Sequence, residues 1–213
     1  MEVLRRSSVF AAEIMDAFDR SPTDKELVAQ AKALGREFVH ARLLRAGLAW
    51  SVPARAAPTP GGRLAEVCAV LLRLGDELEL IRPSLYRNVA RQLNVSPHSE
   101  TAVTSAFLAV AAQIFSAGVT WGKVVSLYSV AAGLAVDCVR QAQPAVVPAL
   151  VDCLGEFVHK TLASWLRRRG GWTDVLTCVA STDPGFRAHW LVAALGSVGR
   201  FLKAAVSMLL PER

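Results

Sequence analysis

The sequence predicts an all-α fold, a bundle of helices gathered around one nearly uncharged helix. Three observations predict it. From Thr101 to Val136 the only charged residue is Lys123, and a helix apolar on every side is either lipid-spanning or the buried centre of a larger bundle. The stretches on either side repeat their apolar residues at spacings of three and four, the helical period. Proline and glycine at Pro22, Pro53, Pro83, Pro97, Pro144 and Gly170 punctuate the chain into pieces of helix length.

A chain of 213 residues is long enough to bury one sizeable core, so one domain with tails is expected. Its 53% hydrophobic content and mean hydropathy of +0.34 are high for a soluble protein and keep membrane contact open. The formal charge of +6 and pI near 9.5 suit acidic partners, either anionic lipid or nucleic acid. Cys68, Cys138, Cys153 and Cys178 are widely spaced among apolar neighbours, as expected of core residues in a reducing compartment. Glu13, Asp16 and Asp19 interrupt the first apolar run, which fits neither a secretory signal nor an acid-poor presequence, so synthesis in the cytosol is expected.

Taken in order, residues 1–22 read as a mobile arm with a short amphipathic piece over 9–18. A capping-box spacing from Thr23 to Glu26 opens a helix with Leu27, Ala31, Leu34, Phe38 and Ala41 on one face, running to about Ala46. Gly35 lies beside that face, where glycine costs about 1 kcal/mol relative to alanine. It marks either a close helix crossing or a weak point that helps to release this helix in a conformational switch. Residues 48–62 hold three prolines and two glycines and read as a flexible surface linker inside the domain.

Over 64–80, Val67, Leu71, Leu74 and Leu78 fall on one helical face with Gly75-Asp76 beside it. Spacing alone describes an amphipathic core helix. Leu71, Leu74, Leu78 and Leu80 also have the spacing of a leucine-rich nuclear export signal, which amphipathic helices often mimic. Arg82-Pro83 ends this helix, and 84–93 reads as a short one. Pro97 and Ser99 precede a helix over 100–117 carrying Phe107, Val110, Ile114 and Phe115, and the central helix follows over 121–140. After a turn at 141–144 a further helix, with Pro148 near its first position, runs to 168. Gly170-Gly171 stops it, and Thr173 or Asp174 caps the next. Residues 190–210 have the length of a membrane span. Arg200 and Lys203 near the middle cost roughly 2.5–3.5 kcal/mol each on insertion scales, which predicts a weak or conditional anchor.

Four stretches carry a family resemblance. Gly118-Val119-Thr120-Trp121-Gly122-Lys123 resembles the first homology motif of the Bcl-2 family of apoptosis regulators, usually Gly-Val-Asn-Trp-Gly-Arg. The 64–80 helix resembles the third (BH3), in which four apolar anchors enter a groove and an Asp after a small residue pairs with a groove cation. Trp165 to Trp172, with Gly170 and Gly171, resembles the second, and the position of the 23–46 helix is similar to that of the fourth. The motifs stand in the family's order over about 24–176.

The resemblance implies a Bcl-2-like bundle of about eight helices around a buried hydrophobic hairpin made by the helices near 124–136 and 147–166. It implies a domain over 23–189 and a C-terminal tail-anchor-like helix over 190–213. Val67, Leu71, Leu74, Gly75, Asp76 and Leu78 would form the BH3-type interface, and Val110, Ile114, Thr120, Trp121, Gly122 and Lys123 the groove. Gross burial of the four anchors contributes roughly 6–12 kcal/mol before ordering costs, so the charge pair sets register more than affinity. The implied function is a pro-apoptotic effector that changes shape, oligomerises and permeabilises the mitochondrial outer or endoplasmic reticulum membrane. Thr120 and Lys123 stand where relatives carry Asn and Arg. A point charge replaces a bidentate fork, which predicts weak dependence on BH3-type activators and inhibitors.

Expected partners are anionic membrane lipids, further copies of the chain and other Bcl-2 family proteins held by BH3-in-groove contacts. The expected location is the cytosolic face of those membranes, with cytosolic and nuclear fractions. The rival reading is a survival-type member that sequesters BH3 helices without making pores; a constitutive multi-span membrane protein is the third. No enzyme is expected: Gly-x-Ser-x-Gly, phosphate-loop and His-Glu-x-x-His patterns are absent. His40, His98, His159 and His189 have no metal-ligand spacing with the cysteines, so neither metal nor cofactor is expected. Glu66, Asp76, Glu77 and Glu79 read as the solvated flank of a helix. The Arg167–Arg169 run lacks interleaved aromatic residues, and no nucleic-acid binding is expected.

Overall fold

A computed structural model describes residues 22–50 and 61–180, with Leu191, Val192, Ala193, Gly196 and Gly199 beyond them. The expected N-terminal arm, most of the 48–62 linker and most of the C-terminal segment lie outside the described residues. Among the described residues there are eight α-helices and no strand.

Helix α1 is Asp24–Arg45. Its capping box forms as the sequence predicts, with Thr23 N–H donating to Glu26 Oε2 at 2.7 Å and Glu26 N–H to Thr23 Oγ1 at 3.3 Å. Asp24 and Glu26 sit in its first turn and Arg42 and Arg45 in its last, the arrangement the helix dipole favours. Helix α2 is Arg63–Ile81.

The short helix expected over 84–93 is instead two pieces. A 3-10 turn, Pro83–Tyr86, is followed by α3, Val89–Gln92. Asn88 between them is left-handed, with φ 54°, a conformation that asparagine tolerates better than most residues. The Gln92 amide ties the two pieces by donating to Ser84 O and Arg87 O at 2.8 and 2.7 Å. Asp137, from a distant helix, accepts the Ala90 N–H at 2.9 Å in place of a local cap.

Helix α4, Glu100–Phe115, starts where Ser99 Oγ accepts the Ala102 N–H. Helix α5, Trp121–Arg140, has the bounds the sequence predicts, and every residue from Trp121 to Ala135 is buried. Thr120, read as a motif position, caps it by accepting the Lys123 N–H. The helix expected to run from near Pro148 to 168 is interrupted. α6, Val146–Phe157, passes through a π-helical turn, Val158–Leu162, into α7, Ala163–Arg168. The turn inserts one extra residue, and the buried residues follow it as a run of fours, Leu150, Leu154, Val158, Leu162 and Leu166. Gly170 and Gly171, with φ 82° and 95°, turn the chain into α8, Asp174–Ala180.

Helix α5 is the axis: α1, α2, α3, α4 and α6 all contact it. An all-round apolar helix thus finds in its neighbours the apolar surroundings it needs. All four cysteines are free thiols, Cys68 and Cys138 buried.

Candidate functional site: the stored α2 helix and its clamp

The four anchors predicted to enter a groove are instead in the core of their own chain. Val67, Leu74 and Leu78 are fully buried and Leu71 is 1% exposed. On the next face Gly75 lets α1 and α2 touch: a Cβ there would lie 2.5 Å from Arg42 Nη2 and 2.6 Å from Phe38 Cζ. Glycine is needed at this crossing for lack of room.

Asp76 then meets two arginines of α1. Arg45 holds both carboxylate oxygens, Nη1 to Oδ1 at 2.6 Å and Nη2 to Oδ2 at 2.9 Å. Arg42 Nη1 reaches Oδ1 at 2.6 Å, and its Nε lies 3.4 Å from Glu79 Oε1. Burial alone would raise the Asp76 pKa, but the Arg45 hydrogen bond and the two guanidinium charges outweigh it and hold the carboxyl below its ordinary value. Asp76 and Glu79 are therefore part of an inter-helix ion-pair cluster, not the solvated flank that the sequence suggested.

From this cluster five aromatic rings run through the molecule. The Arg42 guanidinium lies 5.0 Å above Phe38, Phe38 meets Tyr128 edge-on at 5.8 Å, Tyr128 meets Trp172 at 5.9 Å, and Trp172 meets Trp121 at 5.9 Å. Trp121 meets Trp165 at 5.1 Å, and Arg169 closes the far end 5.0 Å over Trp165. Two buried rings also hold the α1 backbone: Tyr128 O–H donates to Ala31 O and Trp172 Nε1–H to Leu27 O, each at 3.1 Å. Asp174 binds the other end, accepting from Trp121 Nε1 at 2.7 Å and Arg169 Nε at 2.6 Å.

The predicted groove residues Val110 and Ile114 are fully buried, Trp121 is 3% exposed and Lys123 8%. Gly122 is buried and Thr120 exposed. Lys123 Nζ donates to Gly118 O at 2.8 Å. Gly35, on the face of α1 toward α6, sits where a Cβ would come 2.7 Å from Leu154 Cδ2, a close crossing. Among the described residues no group of three or more His, Cys, Asp and Glu could hold a metal ion.

A family model described as apoptosis regulator proteins, Bcl-2 family, matches residues 71–172. The human Bcl-2-related ovarian killer protein is 85% identical over 213 residues, covering all of both chains. The chain belongs to the Bcl-2 family. Within that family, the solution structure of human BOK is 83% identical and superposes with a TM-score of 0.67, covering 74% of this chain and 100% of that one. Trichoplax adhaerens trBcl-2L2 bound to trBak BH3, at 22% identity, has a TM-score of 0.63 over 72% of this chain and 99% of that one. It shares the fold. This Bcl-2 family chain is thus an apoptosis regulator whose BH3-like helix is folded into its own core.

The sequence pointed to α2 and the two tryptophan motifs, to Phe38 on the apolar face of α1 and to Asp174 as a cap, but not to the contacts that join them or to Arg42, Arg45 and Tyr128. One local signal existed. Arg42 follows Phe38 by four positions, which places a charge on the buried face of α1. The Tyr128 and Asp174 contacts span 97 and 53 residues and have no local signature.

Proposed function

We propose that this chain is a death-promoting effector that opens, oligomerises and permeabilises the mitochondrial outer or endoplasmic reticulum membrane. The observation that carries the reading is α5. It is 20 residues long and apolar enough to cross a membrane, and it is wrapped on nearly all sides by amphipathic helices. A soluble core helix passes the same test, so length alone decides nothing. What favours the effector is the combination with a BH3-type helix held shut by α1. Parting α1 from α2 loosens the cover over Val67, Leu71, Leu74 and Leu78 and over one side of α5, the first step toward an interface for further copies and an apolar surface for lipid.

Two contacts support weak dependence on BH3-type activators and inhibitors. Asp76 is already paired with Arg42 and Arg45, and the Lys123 ammonium already binds Gly118 O. The Trichoplax neighbour holds a BH3 segment, and the corresponding contact here would involve Val110, Ile114, Trp121 and Lys123, with other Bcl-2 family proteins as partners. Gly35 is proposed as a point where α1 lets go, and residues 190–213 as a conditional anchor to the cytosolic face of the membrane.

The test is dye release from liposomes of mitochondrial or endoplasmic reticulum composition by the full chain, with and without a BH3 peptide. Release without peptide is expected. Release only with peptide leaves the effector reading standing and removes the weak-dependence clause. Tight peptide binding with no release sinks the effector reading in favour of a sequestering survival factor.

A further inference from the structure

Between Glu79 and Glu100 the chain has no acidic residue and three arginines, Arg82, Arg87 and Arg91. All three are exposed. None forms an ion pair among the described residues, unlike Arg42, Arg45, Arg167 and Arg169. Arg87 and Arg91 line a cleft of about 700 Å3 with Ser84, Asn88 and Gln92. Arg91 also lines an adjoining cleft of about 590 Å3 with Arg140 and Asp137. The one acid there is 8% exposed, with its carboxylate turned to the Ala90 N–H. The Gln92 bonds to Ser84 O and Arg87 O fix the turn that carries the arginines, so their clustering is built into the fold.

Immediately before Arg82, the chain puts two apolar side chains into water: Leu80 is 81% exposed and Ile81 41%. A soluble anion would account for the arginines and leave Leu80 and Ile81 unexplained. A phospholipid surface accounts for both, since phosphates take the guanidinium groups while the apolar side chains enter the acyl boundary. A third observation points to the same corner. Gly199, in the C-terminal segment, packs against this turn, its Cβ position 3.7 Å from Leu85 Cδ2.

We propose that the end of α2, the 3-10 turn and α3 form a docking surface for an anionic phospholipid bilayer. The surface is engaged before the bundle opens and brings the C-terminal segment to the membrane. The proposal rests on the membrane-directed reading above and gives it a location on the folded molecule. The closed protein binds reversibly here through Leu80, Ile81, Arg82, Arg87 and Arg91, with α2 anchors and α5 still buried.

Flotation of the full chain with vesicles tests it, using phosphatidylcholine alone against equal parts phosphatidylcholine and phosphatidylserine. The wild type is expected to float with the anionic vesicles and to be released by raised salt. Each arginine near an anionic surface contributes about fivefold in partitioning, so R82Q/R87Q/R91Q is expected to lose roughly 100-fold. L80S/I81S is expected to bind more weakly at every salt concentration. All five positions are exposed, and a thermal melt equal to wild type confirms that both variants fold.

Equal flotation with neutral vesicles, or full binding by the triple variant, overturns the proposal. So does binding that polyglutamate competes away while L80S/I81S is without effect, which would assign the surface to an acidic protein segment. Dye release is measured separately with each protein tethered to the vesicles through a histidine tag. Failure of the tethered wild type to release dye counts against the effector reading and leaves the flotation result to judge docking.

Discussion

Replacing Gly75 with alanine tests whether the crossing of α1 and α2 is the contact that keeps the chain closed. The added methyl would sit 2.5 Å from Arg42 Nη2 and 2.6 Å from Phe38 Cζ, well inside normal contact distance. Neither neighbour has room to retreat. Phe38 is 1% exposed, packed edge-on against Tyr128 and covered by the Arg42 guanidinium, while Arg42 is held by Asp76. Overpacking of this kind costs about 1–3 kcal/mol, offset by about 1 kcal/mol of improved helix propensity. A net loss of up to about 2 kcal/mol lowers the melting temperature by up to about 8 °C for a chain of this size.

The sign reverses at Gly35. There a Cβ meets the terminal methyl of Leu154, itself 1% exposed, at 2.7 Å; this methyl ends a side chain that can turn aside, so Gly35→Ala keeps part of its propensity gain of about 1 kcal/mol and melts up to about 4 °C higher. Circular dichroism melts give the stabilities and liposome dye release gives the opening. Gly75→Ala is expected to release dye faster than wild type, and Gly35→Ala more slowly. If Gly75→Ala melts at or above the wild type, the reasoning about this crossing is wrong. If it melts lower without faster release, the crossing is structural and the gate lies elsewhere. A stabilised Gly35→Ala of unchanged activity removes Gly35 as a switch.

Further outcomes follow from individual contacts. Asp76→Asn leaves buried Arg42 with Glu79 alone and costs about 1–2 kcal/mol at neutral pH, after discounting for the partial exposure of Asp76. Because Asp76 titrates below its unfolded value of about 3.9, its contribution is complete above that pH and is lost as pH falls through the lowered folded value. The gap in melting temperature between wild type and Asp76→Asn should therefore close as the pH falls below 4 or so. Trp121→Phe removes the donor to Asp174 and should cost about 1–2 kcal/mol in urea unfolding. Asp137→Leu orphans the buried Ala90 N–H at about 1–3 kcal/mol, whereas Asp137→Asn keeps an acceptor; hydrogen exchange at Ala90 should rise for the first and much less for the second. Burial pushes the Cys68 thiol up to about 11, so its alkylation is expected to be slow in the closed chain and to accelerate when α2 opens on membranes.

What the sequence revealed follows from how far apart the interacting residues lie. The Thr23 capping box, the bounds of α5 and the buried face of α2 depend on residues three to seven positions apart, and all three formed as expected. The break at Asn88 depends on one left-handed residue and on Asp137 reaching in from α5, so a window of ten residues does not register it. The π-turn at Val158–Leu162 adds one residue to a helix without disturbing its composition. The pairing of Asp76 with Arg42 and Arg45 was illegible for a different reason. A carboxylate on a helix flank has the same local sequence whether it faces water or a second helix, and only the Gly75 crossing selects between them.

The contacts of α5 indicate why that crossing is the better place to look for control. Among the described residues, side-chain hydrogen bonds tie α5 to four of its neighbours: Tyr128 to Ala31 O, Tyr86 to Ser126, the Ala90 N–H to Asp137 and Trp121 to Asp174. At a net 0.5–1.5 kcal/mol each they contribute about 2–6 kcal/mol, a large share of the roughly 5–15 kcal/mol that a whole domain has in hand. They reach α1, the 3-10 turn, α3 and α8, so α5 cannot leave until several elements have already moved. The α1–α2 contact has no such requirement. It depends on one glycine, one carboxylate, the buried Arg42 and the exposed Arg45, and on the proposed effector reading breaking it is the first step toward freeing α2. A trigger acting there needs to supply only a few kcal/mol. Once α1 has moved, the Tyr128 and Trp172 bonds to Ala31 O and Leu27 O are lost with it, and the aromatic chain no longer holds α5 in place.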